Sequence, residues 1–205
     1  MKTSAKSILA GVAAVALAVA AHAAPVVGQA APGFTLTDLN GQKHSLSDYK
    51  GRTVVLEWVN PECPFVQKHY DGSGNMPATQ KAALAEGAVW LTINSGYEGS
   101  QGDFSAAEVA AWSKKTGAAP TAYLRDSEGK VGKLYDARHT PTLFIVNAEG
   151  TLVYAGGIDD INSANPKDIA RANNYVKAAF ADLKAGRPVA KSQTRAYGCN
   201  VKYAN

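Results

Sequence analysis

Thr53-Val54-Val55-Leu56-Glu57-Trp58-Val59-Asn60-Pro61-Glu62-Cys63-Pro64-Phe65-Val66 is the stretch on which the reading of this chain turns. Thr53 to Val59 is a short, nearly continuous apolar run rich in β-branched and aromatic residues, the pattern of a central strand buried on both faces. After the Asn60-Pro61-Glu62 turn, Pro64 marks a helix start. Proline is favoured at the first helical position, where its missing N–H loses nothing, so Cys63 falls at the N-cap. Unpaired backbone N–H groups and the helix dipole at such a place favour a thiolate. A structural cysteine usually sits inside an element among apolar side chains. Cys63 instead lies in a turn between two prolines, so the reactive reading outweighs the inert one, although Glu62 would oppose a thiolate if it pointed inward.

Upstream, Phe34-Thr35-Leu36-Thr37 and His44-Ser45-Leu46 flank Asn40-Gly41, the signature of a β-hairpin. Downstream, Met76–Glu86 reads as helix, Ala88–Asn94 as strand, Ser105–Thr116 as helix and Thr121–Arg125 as strand. This alternation predicts βαβ units with a parallel core. Gly96 to Asp103 is a glycine-rich surface loop, and Val131–Arg138 a short helix. Thr142–Val146 and Thr151–Ala155, around Asn147-Ala148-Glu149-Gly150, form a strand pair that gives the sheet an antiparallel edge. Lys167 to Lys184 carries Ile169, Ala172, Val176, Phe180 and Leu183 at helical intervals, which predicts one amphipathic helix covering a sheet face. The tail from Gly186 has no strong periodicity, reads as flexible, and carries Cys199.

The chain opens on Met1-Lys2-Thr3-Ser4-Ala5-Lys6, a small-apolar run from Ile8 to Ala21, and Ala21-His22-Ala23 ahead of Ala24. A charged start, an apolar middle and an A-x-A end predict a cleaved signal peptide over residues 1–23 and export to the periplasm. A membrane anchor fits less well. The run is shorter than the roughly 20 residues a bilayer requires, so no stable membrane association is expected once the leader is removed. The remaining residues 24–205, about 180 of the 205, suit one domain. The formal charge of +4 includes the two leader lysines, and the other basic residues are scattered, which argues against nucleic acid as a partner.

Cys63 and Cys199 are the two cysteines of the chain. In an oxidising compartment they read as a disulfide or as an active thiol pair. There is no C-x-x-C and no histidine pair at ligand spacing, so neither a metal site nor a cofactor is expected.

Several segments together resemble the thioredoxin superfamily, in its redoxin or peroxiredoxin-like (AhpC/TSA-like) branch. They are Gly28-x-x-Ala31-Pro32-x-Phe34-x-Leu36, Leu46-x-Asp48-Tyr49-Lys50-Gly51, Val54-Val55-Leu56-Glu57-Trp58 leading into the Cys63 turn, Thr140-Pro141-Thr142, and Tyr197-Gly198-Cys199. The resemblance implies an α/β thioredoxin-like fold: a central mixed sheet flanked by helices, an N-terminal β-hairpin extension and a C-terminal tail. It places Cys63 on the attacking cysteine and Thr140-Pro141 on the cis-proline loop, which offers backbone groups to an extended substrate. Glu57 falls on a buried carboxylate that moves protons. The bland alternative is a solvent-facing glutamate. Burying it to no purpose would cost several kcal/mol, so a buried Glu57 asks for a role.

The chain departs from these relatives at several positions. Val66 stands where thioredoxins carry a second cysteine. Asn60 and Leu56 replace the threonine and proline of peroxiredoxins, and Pro141 takes the place of their peroxide-orienting arginine. Cys199 becomes the candidate resolving cysteine. The resulting expectation is a thiol-disulfide oxidoreductase with Cys63 as nucleophile and Cys199 and Glu57 assisting. Thr140, Pro141, Trp58, Asn60 and Pro64 line the substrate site. The partners are a protein or small-molecule disulfide, or a peroxide, and an external thiol reductant.

Two alternatives use the same cysteines. One is a thiol peroxidase with antioxidant activity. The other is an exported, non-enzymatic domain in which Cys63–Cys199 is a permanent staple worth ~4–5 kcal/mol in the chain-entropy account. Lys68, His69 and Tyr70 read as surface or partner-facing. Trp58, Trp90 and Trp112 read as core, with Trp58 near enough to the turn to border the site. His44 and His139 are single histidines without ligand spacing, although His139, beside Thr140, lies where it would line the cleft.

Overall fold

The apolar run does form the central strand. In the computed structural model, which describes residues 24–204, Val54–Trp58 (β3) is buried along its whole length. The predicted leader lies outside the described residues. β3 pairs in parallel with Val89–Asn94 (β4) and antiparallel with Thr142–Val146 (β7). Alternation along β3 feeds two cores. Val54, Leu56 and Trp58 face one side with Leu91, Ile93, Tyr135 and Phe144, while Val55 and Val59 face the other with Val66, Trp90 and Trp112. Both faces are covered, which is why the strand shows no polar alternation.

The hairpin strands Thr35–Asp38 (β1) and Lys43–Ser45 (β2) extend this sheet through Ala122–Arg125 (β5), and Leu152–Gly156 (β8) closes the far edge. The strand order is β2-β1-β5-β4-β3-β7-β8, with β3, β4 and β5 parallel and the rest antiparallel, so the mixed sheet is as expected. Pro64–His69 (α1), Asn75–Ala85 (α2) and Ala106–Thr116 (α3) follow the strands as read. α3 starts at a capping box in which Ser105 accepts from the Glu108 N–H and Glu108 accepts from that of Ser105.

Three boundaries differ from expectation. The helix read at Val131–Arg138 is the single turn Lys130–Leu134 (α4), after which the chain extends into His139–Thr140 (β6). The run Lys167–Lys184 is two pieces: a 3-10 turn at Pro166–Arg171 and the helix Tyr175–Lys184 (α5). Asn174 divides them by capping α5, its side chain accepting from the Lys177 N–H at 3.0 Å, while Asn173 is held by Asp160. The tail, in turn, is not loose. Its backbone bonds to Ala155 at Ser192 and Thr194, and Cys199–Asn200 (β9) pairs antiparallel with β6. Beyond that, Val201 N–H reaches Arg138 O at 3.0 Å and Tyr97 N–H reaches Lys202 O at 2.9 Å.

Candidate active site

Cys63 caps α1 from an extended backbone conformation, with Pro64 as the first helical residue. Its thiol faces the far end of the chain. The β6–β9 ladder sets Cys199 opposite Thr140, and the sulfurs of Cys63 and Cys199 stand 2.6 Å apart. The carbonyl of Thr140, immediately before the cis Thr140–Pro141 bond, accepts from Cys63 Sγ at 3.3 Å. Gly198 permits this approach. Its φ is +131°, and a Cβ there would come within 1.9 Å of the Thr140 oxygen. Burial, followed by the Cys63 sulfur beside it, pushes the Cys199 thiol up to about 12, while the Lys202 charge and then the Phe65 N–H act in the opposite direction. Cys199 therefore stays protonated at neutral pH.

Cys63 itself is fully buried and Cys199 partly so, which leaves exposed Pro64 and half-buried Phe65 as the rim of the site. Glu62 points away. Its carboxylate accepts the Gly102 N–H at 2.6 Å and pins the loop of residues 96–103 over the turn. Asn60, expected to touch substrate, is used up within that turn: its amide donates to Gln101 O at 3.1 Å and its oxygen accepts from Glu62 N–H at 2.9 Å. Gly102 is forced by the same packing, since a Cβ would lie 2.0 Å from Asn60 Oδ1. Trp58 also departs from expectation. It is fully buried against Tyr135 and Phe144, with its indole N–H on Ser95 Oγ at 3.0 Å, and presents no surface to a substrate. Its position on β3 turns it to the face opposite Glu57.

Glu57 is buried, which disposes of the solvent-facing alternative. Four side chains donate to its oxygens: Tyr70 Oη at 2.7 Å, Trp90 Nε1 at 2.7 Å, Gln80 Nε2 at 3.2 Å and Thr92 Oγ1 at 3.2 Å. Burial raises its pKa, and these donors, Tyr70 first, offset part of the rise.

Lys68, His69 and Tyr70 are corrected from surface to interior, all three at 2% exposure or less. Val66 and Tyr70 lie three and seven positions after Cys63 and return to its side of α1, a periodicity that places them inward. Lys68 and His69 join a second buried group that the sequence did not reveal, with Asp159 and Tyr197. His139 is partly buried and pairs with Asn200. Among the described residues no group of three His, Cys, Asp or Glu is placed to hold a metal ion.

The profile of the AhpC/TSA family matches residues 27–155, which include Cys63, Glu57 and Pro141. The chain belongs to the AhpC/TSA family. Cys199 and its β9 strand lie outside the matched residues of this AhpC/TSA protein. Among curated proteins it is similar to the thiol-disulfide oxidoreductase ResA of Bacillus subtilis (strain 168), with 30% identity over 126 residues. That match covers 62% of this chain and 64% of ResA, less than two thirds of the relative's length. ResA of Geobacillus thermodenitrificans (strain NG80-2) is 36% identical over 80 residues, covering 36% and 40% of the two chains.

Among solved structures, a hypothetical protein of Sinorhizobium meliloti 1021 superposes with a TM-score of 0.70 at 26% identity, over 89% of this chain and 97% of that one. An uncharacterized conserved protein of Geobacillus kaustophilus gives 0.72 at 27%, over 87% and 93%. A putative thiol:disulfide interchange protein DsbE from Chlorobium tepidum, at 0.51 and 22% identity over 64% and 85%, shares the fold, which is thioredoxin-like.

Proposed function

We propose that this AhpC/TSA protein is a thiol-disulfide oxidoreductase in which Cys63 attacks and Cys199 resolves. The juxtaposition of the two sulfurs at 2.6 Å, across 136 residues of chain, carries the reading. Cys63 thiolate attacks one sulfur of a substrate disulfide, forming a mixed disulfide and expelling the first substrate thiolate. Cys199 then attacks the Cys63 sulfur and surrenders its proton to the second departing thiolate. The products are two substrate thiols and a Cys63–Cys199 disulfide, and an external dithiol returns the two electrons. Thr140 and Pro141 would offer backbone to the substrate, Pro64 would form its rim, and Glu57 would buffer protons through Tyr70. Export to the periplasm belongs to this reading and rests on the leader pattern of residues 1–23. Among the described residues no helix is long and apolar enough to cross a membrane.

Redox titration against glutathione, followed by alkylation and intact mass, tests the proposal. The wild-type chain, recovered from the periplasm with Ala24 at its start, is expected to cycle between dithiol and disulfide at a potential above about −300 mV. Cys63→Ser abolishes disulfide reduction, and Cys199→Ser traps a mixed disulfide at Cys63. A potential below that value with no fast-reacting thiol would make the bond a staple. Rapid peroxide consumption lost in Cys63→Ser, without disulfide reduction, would replace the reading with a thiol peroxidase.

A further inference from the structure

Lys68, His69, Asp159 and Tyr197 form a buried polar group that the exchange chemistry does not use. Tyr197 Oη donates to Asp159 Oδ1 and receives Lys68 Nζ at 3.3 Å. His69 Nε2 stands 3.2 Å from the same oxygen, and Asn75 Nδ2 stands 3.0 Å from His69 Nδ1. Burial lowers the His69 pKa to about 4, so the ring is neutral at pH 7. With Nδ1 accepting from the Asn75 amide, the ring proton is on Nε2 and donates to Tyr197. The phenol thus donates once and accepts twice, which fills its capacity. Lys68 completes its own set with Asp159 Oδ2 at 3.3 Å and Ile161 O at 2.8 Å.

Buried charge is expensive, and apolar residues of similar volume would serve stability as well or better. Placement gives this group its meaning. Lys68 and His69 sit on α1, the helix that Cys63 caps, and Tyr197 sits two residues before Cys199 in the tail. Between them Gly198 lies against Thr140 O, and the Tyr197 ring meets Phe65 edge-on at 5.9 Å.

We propose that Tyr197 is a positioning residue whose phenol, held in the Lys68–His69–Asp159 socket, fixes Cys199 over Cys63 and so sets the effective concentration of the resolving thiol. This rests on the exchange reading above. An anchored thiol forms the intramolecular bond faster, and with a larger equilibrium constant, than one at the end of a free tail. The socket makes no hydrogen bond to Cys63 Sγ, so its loss does not impair the first attack on substrate and, by loosening the tail, can only uncover the sulfur.

Tyr197→Phe keeps the ring and its contact with Phe65 while removing the hydroxyl. Its equilibrium constant for Cys63–Cys199 formation against glutathione is expected to fall at least tenfold, about 30 mV for a two-electron couple. The Cys63–glutathione mixed disulfide should accumulate during turnover. In a Cys199→Ser background the same substitution should leave the first-attack rate at Cys63 undiminished. An unaltered equilibrium constant, or an equal loss in first-attack rate, would overturn the proposal. If Tyr197→Phe does not fold, His69→Gln, which disturbs one of the three phenol partners, is read by the same two measurements. A wild-type chain that forms no Cys63–Cys199 bond at all would instead overturn the exchange reading.

Discussion

Glu57 is a carboxyl group that folding places where its charge is least welcome, buried near the end of β3 among Trp90, Thr92, Tyr70 and Gln80. Its pKa in the fold is raised above the ordinary 4.5 by burial. Between those two values the folded chain keeps a proton that the unfolded chain has released. The contribution of Glu57 to stability is therefore complete below 4.5 and is lost as pH rises through the folded value. Replacing it by glutamine removes this slope. Denaturant unfolding of Glu57→Gln and wild type between pH 4 and 8 should show the difference moving in favour of the variant as pH rises. Parallel curves would mean that folding leaves the Glu57 pKa unshifted. The glutamate could be picked out in the sequence because it interrupts an apolar strand. Its four donors could not, since three of them come from later segments whose register with β3 exists only in the folded sheet and the helices packed on it.

Two residues of β9 against two of β6 make a weak pairing by themselves, and the element depends on what flanks it. Gly198 is the tightest of these supports, with a positive φ and no room for a Cβ beside Thr140 O. Gly198→Ala should lift Cys199 away and uncover Cys63. Alkylation of reduced Cys63 by iodoacetamide, followed by peptide mass mapping, is expected to accelerate at least tenfold. An unchanged rate would show that something other than β9 covers the sulfur.

Elements whose signals are local, such as β3, the Pro64 start of α1 and the helix read from Ser105 as α3, were legible from residue types alone. The continuous helix expected over Lys167–Lys184 was not found, because Ile169 and Ala172 fit a helical period while Asn173 and Asn174 spend their side chains on Asp160 and on capping. Local periodicity cannot reveal that second use. The buried side of α1 was within reach of the sequence, since Tyr70 falls two turns after Cys63, but Asp159 and Tyr197 reach Lys68 only through tertiary folding.

Across the whole molecule, the chain's last described segment returns to the middle of the fold, so a Cys63–Cys199 bond formed as proposed would couple its redox state to the stability of everything between its ends. Closing 136 residues should make the oxidised protein more stable than the dithiol form by at most ~4–5 kcal/mol, the chain-entropy value. Guanidinium unfolding of the two forms measures it, and equal midpoints would show that the reduced chain unfolds without loosening that contact. The mixed sheet was foreseeable from the order of strands and helices, whereas the route of the tail was not, since backbone bonds at Ala155 and Arg138, not side-chain pattern, guide it.

The pairing of β9 with β6 also has a kinetic meaning. An extended polypeptide cannot pair with the side of β6 that Cys199 and Asn200 already occupy. If protein disulfides are the substrates, as the exchange reading has it, they must wait for the tail to detach, and their turnover should saturate at the tail's opening rate however much substrate is supplied.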